Sequence, residues 1–135
     1  MRVFRLKEAT REIADLEKKY KGSFAGVVQF ERLLADSGSL RTDRINRINR
    51  DRFGAPASIW KSRVHFEGQG SRGGLRYVYE VLTVEGEELA ICLTIYTKKD
   101  DDDIRIITMR IQQRFDSIVP TMAWINTIHR PDTDV

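Results

Sequence analysis

The segment WKSRVHF carries three basic or titratable side chains, Lys61, Arg63 and His65, at intervals of two. Successive side chains on a β-strand alternate between faces, so this spacing turns all three to one side. Arg76, in the apolar run that follows, can meet them across a sheet, and Lys98 closes a third such run. Lysine and arginine gathered on one face make a seat for a phosphate group, because both donate charge-assisted hydrogen bonds to its oxygens. Between the first two runs, GQGSRGG, from Gly68 to Gly74, has the letters of the dinucleotide fingerprint G-x-G-x-x-G. That fingerprint works where glycines turn a strand into a helix. Here the strand-like LRYVYEVL follows, so the segment reads as a hairpin loop.

Three strand-like segments must position these residues: Ile59 to Phe66, Leu75 to Val84 and Glu88 to Thr97. Each is rich in β-branched and aromatic residues, and the short links between them favour an antiparallel meander. Ahead of them, Met1 to Leu6 suits a short strand. From Lys7 to Lys21, Ala9, Ile13, Leu16 and Tyr20 recur at helical spacing until Gly22. A second periodic run, Phe24 to Ala35, completes a helical hairpin. Leu40 to Pro56 has only Ile45 and Ile48 to bury and reads as a mobile loop or a loosely packed helix. Its arginines at 41, 44, 47 and 50 could grip RNA or form a solvated face balanced by Asp43 and Asp51. Asp100 to Asp103 suits a helix start, with a helix from Ile104 to Ser117. Pro120 then interrupts, and Met122 to Ile128 predicts a last short helix or turn. The expected architecture is α+β: two N-terminal helices on a small antiparallel sheet of about four strands, with a C-terminal helix. A tail from residue 118 to 135 extends it.

With 135 residues and 41% hydrophobic content, the chain suits one core and one domain over residues 1–135. Lys plus Arg outnumber Asp plus Glu by 23 to 20, and the pI is near 9.2. That balance permits nucleic-acid binding without establishing it, since affinity depends on where the charges cluster. A single cysteine, Cys92, excludes an intramolecular disulfide and a cysteine zinc cage and fits a reducing cytoplasm. The N-terminal stretch lacks the continuous apolar run of a secretory signal, and no apolar run has the roughly 20 residues of a membrane span. A soluble, cytoplasmic protein is expected, with no cofactor, metal or membrane partner.

The block KSRVHFEGQGSRGGLRYVYE, followed by CLTIYTKKDDDDI, resembles the RelE/HigB family of bacterial toxins. In that family a basic strand, a glycine-rich basic hairpin, an arginine leading an aromatic strand, and a strand ending in tyrosine and lysine follow in this order. The resemblance covers Trp60 to Ile104; outside it, the order of elements agrees. It rests on R-G-G-x-R at Arg72, Gly73, Gly74 and Arg76, combined with L-T-I-Y-x-K from Leu93 to Lys98.

The resemblance implies a RelE-like fold and a ribosome-dependent messenger-RNA endoribonuclease, the toxin of a toxin–antitoxin pair, with a cognate antitoxin, the ribosome and messenger RNA as partners. Such enzymes let the ribose 2′-hydroxyl attack the adjacent phosphate, so cations must offset charge on the phosphorane while protons move. Lys61, Arg63, Arg76 and Lys98 are the implied catalytic residues, and cation crowding would lower the pKa of Lys61 toward use as a base. His65 is a further candidate acid or base. Arg72, His65, Tyr79 and Tyr96 are implied RNA contacts, with either tyrosine able to stack on a base or pass a proton. The hairpin departs from the family: Glu67, Gln69 and Ser71 stand where relatives place lysine. That loss of charge suits an alternative, a non-catalytic binding protein of the same fold, either a gyrase-poison type or a degenerate toxin.

Overall fold

The LRYVYEVL run and the ELAICLTIYT run pair as long neighbours because each offers ten or so consecutive residues that tolerate an extended backbone and burial on both faces. The computed structural model describes residues 1–37, 43–45, 51–52, 55–67, 74–99, 103–118, 122–128 and 130–131. Its central strands are β5 (Ser58–Val64), β6 (Leu75–Val84) and β7 (Glu87–Thr97), joined antiparallel in the meander expected. The β6–β7 turn is two residues, Glu85 and Gly86, both at positive φ, the backbone twist that tight hairpins favour.

The sheet is mixed rather than purely antiparallel. β1 (Arg2–Arg5) pairs parallel to β7, giving the order β1-β7-β6-β5-β2. The parallel partner follows from the chain's path: β1 leads into helices α1 (Lys7–Lys19) and α2 (Ser23–Ser37), which carry it across one face before the meander begins. α1 buries Ala9 and Ile13, and α2 buries Val27, Phe30 and Leu34. At Gly26 a Cβ would lie 2.7 Å from the His65 carbonyl oxygen, so only glycine lets α2 sit this close to the end of β5.

The segment expected to be a loop or loose helix over 40–56 is extended in its described parts. β2 (Asp43–Arg44) pairs antiparallel with β5, and β3 (Asp51–Arg52) pairs with β4 (Ala55–Pro56) in a second small ribbon. Ile45 N–H donates to the Ile59 carbonyl at 2.8 Å, so pairing at the open edge of β5 wins over helix formation there. Arg41, Arg47 and Arg50 lie outside the described residues.

The C-terminal helix α3 (Ile104–Ser117) starts on Asp103, whose side chain accepts from the Arg105 amide at 3.0 Å. The other three aspartates lie outside the described residues. α3 packs on β7 and buries Ile107, Ile111 and Phe115, and α4 (Met122–Ile125) buries Ile125. Among the described residues no helix is long and apolar enough to cross a membrane.

Candidate functional site

Strand register decides which candidate residues meet. Arg63 on β5 stands directly opposite Arg76 on β6, and Arg76 stands opposite Tyr96 on β7. These three form one cross-strand row, about 10 Å from end to end at the usual strand spacing. The next row on the same face is Lys61, Val78 and Thr94. His65 follows the end of β5 and Lys98 follows the end of β7, both exposed. In an antiparallel meander these two ends lie together, so Lys61, Arg63, His65, Arg76, Tyr96 and Lys98 gather toward one end of the sheet.

A bulge makes this arrangement possible. Val78 pairs with Thr94, yet the next residue, Tyr79, pairs with Cys92, leaving Leu93 as the extra residue. Strict alternation along β7 would put Tyr96 and Cys92 on one face. With the bulge, Tyr96 joins Arg76 while Cys92 turns to the face covered by α2. Leu93 finds a partner off the ladder: its carbonyl accepts from Arg114 Nη1 at 2.8 Å.

Tyr79 belongs to that other face. It is fully buried, 5.9 Å from Tyr77 and 6.3 Å from Phe30 between ring centres. This placement corrects the expectation that it contacts RNA, because no base can reach the ring without removing α2. Of the two tyrosines, Tyr96 is the one set beside the cations. Arg72 lies outside the described residues.

Two arginines facing each other across a strand pair repel, a local cost in a sheet. Arg76 is 7% exposed, and its Nη1 donates to the Gly74 carbonyl at 2.9 Å, while Arg63 is exposed. Burial first, and then the charge of Arg63, lower the Arg76 pKa from its ordinary value. Crowding of like charge is thus felt at the Arg63–Arg76 pair. Among the described residues no carboxylate forms a salt bridge with Arg63. An anion bound between the two guanidiniums would relieve the repulsion.

Two features escaped the sequence reading. Glu80, fully buried on the same face as Lys61, sits one row further along, opposite Ile59 and Ile91. Glu12, on α1, joins three elements: it accepts from Thr94 Oγ1 at 2.9 Å, from the Ile95 amide at 3.4 Å and from Arg114 at 2.7 and 3.1 Å. β1 stops opposite Cys92, so the clasp covers the part of β7 that β1 does not reach, the part that carries Tyr96. A helical glutamate two turns from a strand has no sequence signal for this role.

Compared with models of known protein families, with curated proteins and with solved structures, the chain matches none.

Proposed function

We propose that this chain is a RelE/HigB-type endoribonuclease toxin that cuts messenger RNA on the ribosome. The reading rests on one observation above the rest, the directly opposed Arg63 and Arg76 with Tyr96 completing their row. The order of elements, two helices before the meander and the long helix α3 directly after it, supports it as well.

In this reading the two guanidiniums hold the non-bridging oxygens of the scissile phosphate. Lys61 or His65 takes the proton of the ribose 2′-hydroxyl as that oxygen attacks phosphorus. The bond from phosphorus to the 5′-oxygen then breaks, and the leaving oxygen is protonated in turn. The products are a 2′,3′-cyclic phosphate and a free 5′-hydroxyl. Arg63 and Arg76 act most strongly on the pentavalent state, where charge on the oxygens is greatest. Tyr96, itself 7% exposed, stands beside Arg76 at the floor of the row, and Lys98 adds positive charge at the edge of the site. The ribosome positions the substrate, and such positioning supplies much of the rate that a few cations alone would not.

The second reading, a non-catalytic protein of the same fold, draws on the Arg76 bond to Gly74, which gives that arginine a structural task. The two separate on primer extension of a defined messenger in a purified bacterial translation system. Wild type should give discrete cuts that need ribosomes, Arg63→Ala should reduce them at least a hundredfold, and Arg76→Lys should reduce them while keeping the fold. Intact messenger with folded wild-type protein would sink the nuclease and favour the binding protein.

A further inference from the structure

Past Cys92, the last part of β7 has no strand on its outer side. β1 ends opposite Cys92, and among the described residues no strand pairs with that edge beyond it. Glu12 and Arg114 occupy it instead. We infer that these two are positioning residues, which hold the bulge at Leu93 in the register that turns Tyr96 toward Arg76 and Arg63. The service of that row to RNA cleavage rests on the nuclease reading above; the register does not.

The pair stands in for one residue of a neighbouring strand. A strand would offer a donor to the Leu93 carbonyl and an acceptor to the Ile95 amide. Arg114 Nη1 is the donor at 2.8 Å, and Glu12 Oε1 is the acceptor at 3.4 Å. Bonds of 2.7 and 3.1 Å join the two side chains, and Oε1 also accepts from Thr94 Oγ1 at 2.9 Å. Leu93, Thr94 and Ile95 are thus each tied to one ion pair, through charge-assisted bonds stronger than those of a neutral ladder.

This stretch has a second register within reach. Before the bulge, β7 is fixed on both sides, by β1 and by β6; after it, β6 is its one strand neighbour. If the bulge closed while Tyr79 stayed opposite Cys92, Val78 would meet Leu93 and Arg76 would meet Ile95. Tyr96 would then turn to the other face, opposite Leu75. Burial does not choose between the registers, because Leu93, Thr94, Ile95 and Tyr96 are all buried as they stand. The ion pair does choose. Closing the bulge would point the Leu93 carbonyl and the Ile95 amide at β6 and break both of their bonds to it.

The test uses the full chain with Arg114→Met, Glu12→Leu and the milder Glu12→Gln, whose side-chain oxygen can still accept. Arg110 lies 3.7 Å from Glu12, so Arg114→Met leaves the carboxylate beside a cation. Ile111→Val, a core change on the same helix, controls for lost stability alone. The first readout is the nuclear Overhauser contact between the Tyr96 ring and the Arg76 side chain. It should be present in wild type and Ile111→Val, retained at least in part in Glu12→Gln, and lost in Arg114→Met and Glu12→Leu, where Ile95 contacts Arg76 instead. The second readout is cleavage on the ribosome. Its maximal rate should fall at least tenfold in Arg114→Met, while the protein concentration giving half that rate stays within twofold, since the cations of the row are untouched. A Tyr96–Arg76 contact that survives in folded Arg114→Met or Glu12→Leu overturns the inference, as does an equal loss in Ile111→Val. Intact messenger with wild type would sink the nuclease reading, and the Tyr96–Arg76 contact would still decide the register.

Discussion

Arg5 is among the largest fully buried side chains of the described residues, although arginine is among the residues least often found inside. Its guanidinium meets Glu31 in a two-pronged pair, Nε to Oε2 at 2.9 Å and Nη2 to Oε1 at 2.6 Å. Tyr77 donates to the same carboxylate at 2.8 Å. Burial alone would lower the Arg5 pKa, but the hydrogen bonds and charge of Glu31 outweigh it and hold the value above the ordinary one. Burial also pushes the Tyr77 hydroxyl and the Cys92 thiol well up, so both stay protonated. Removing one partner strands the other's charge in the core, whereas removing both does not. Glu31→Ala should therefore cost about 3–5 kcal/mol in urea unfolding. The double variant Arg5→Met, Glu31→Leu should recover most of that loss. A single variant as stable as wild type would show that the pair is dispensable.

At the scale of elements, the two helices meet through a carboxylate. Glu17, near the end of α1, accepts from the amides of Gly22 and Phe24, at 3.1 and 2.8 Å, and from the Ser23 hydroxyl at 3.3 Å. It thereby satisfies amides at the start of α2 that have no partner within the helix. The Phe24 and then the Gly22 amide hold the Glu17 pKa below its ordinary 4.5. A depressed folded-state value stabilises above the unfolded pKa and is lost as pH falls through the folded one. Glu17→Gln should lower the melting temperature at pH 7, and the gap from wild type should close as pH falls below about 4. A gap that stays constant down to pH 3 would mean that the carboxylate's charge plays no part.

Much of this element layout is legible in the sequence. Apolar spacing marks α1, α2 and α3 within two residues of their ends, and β6 within none, because each buries one stripe or both faces of an uninterrupted run. The parallel seat of β1 is invisible, since four residues cannot state which neighbour they will join. So is the bulge at Leu93, which no residue in LTIYT advertises, yet it separates Tyr96 from Tyr79 in role. The even spacing of Lys61 and Arg63 predicts their shared face, while the exact opposition of Arg63, Arg76 and Tyr96 needs the register. Nothing in the sequence marks Arg5 and Glu31 as a buried pair, since they lie 26 positions apart.

For the molecule as a whole, the two edges of the sheet differ in what they offer. The β5 side carries a cationic row toward one end, and the β1 side carries an apolar trough walled by arginine. The net charge of only +3 spreads too little field to bind polyanions everywhere, so salt dependence should report on the local row rather than the whole surface. Binding of a short single-stranded RNA to the chain should weaken as salt rises, with a log–log slope of about −0.7 for each phosphate contacted. Arg63→Ala should make that slope shallower by about 0.7, one contact's worth. Tyr79→Phe should leave the slope unchanged while altering stability, since that ring is sealed beneath α2. Arg32→Glu, at the far edge, should leave it unchanged too. If Arg32→Glu and Arg63→Ala reduce the slope equally, RNA is held by diffuse positive charge, and the opposed arginine row loses its claim to be the site.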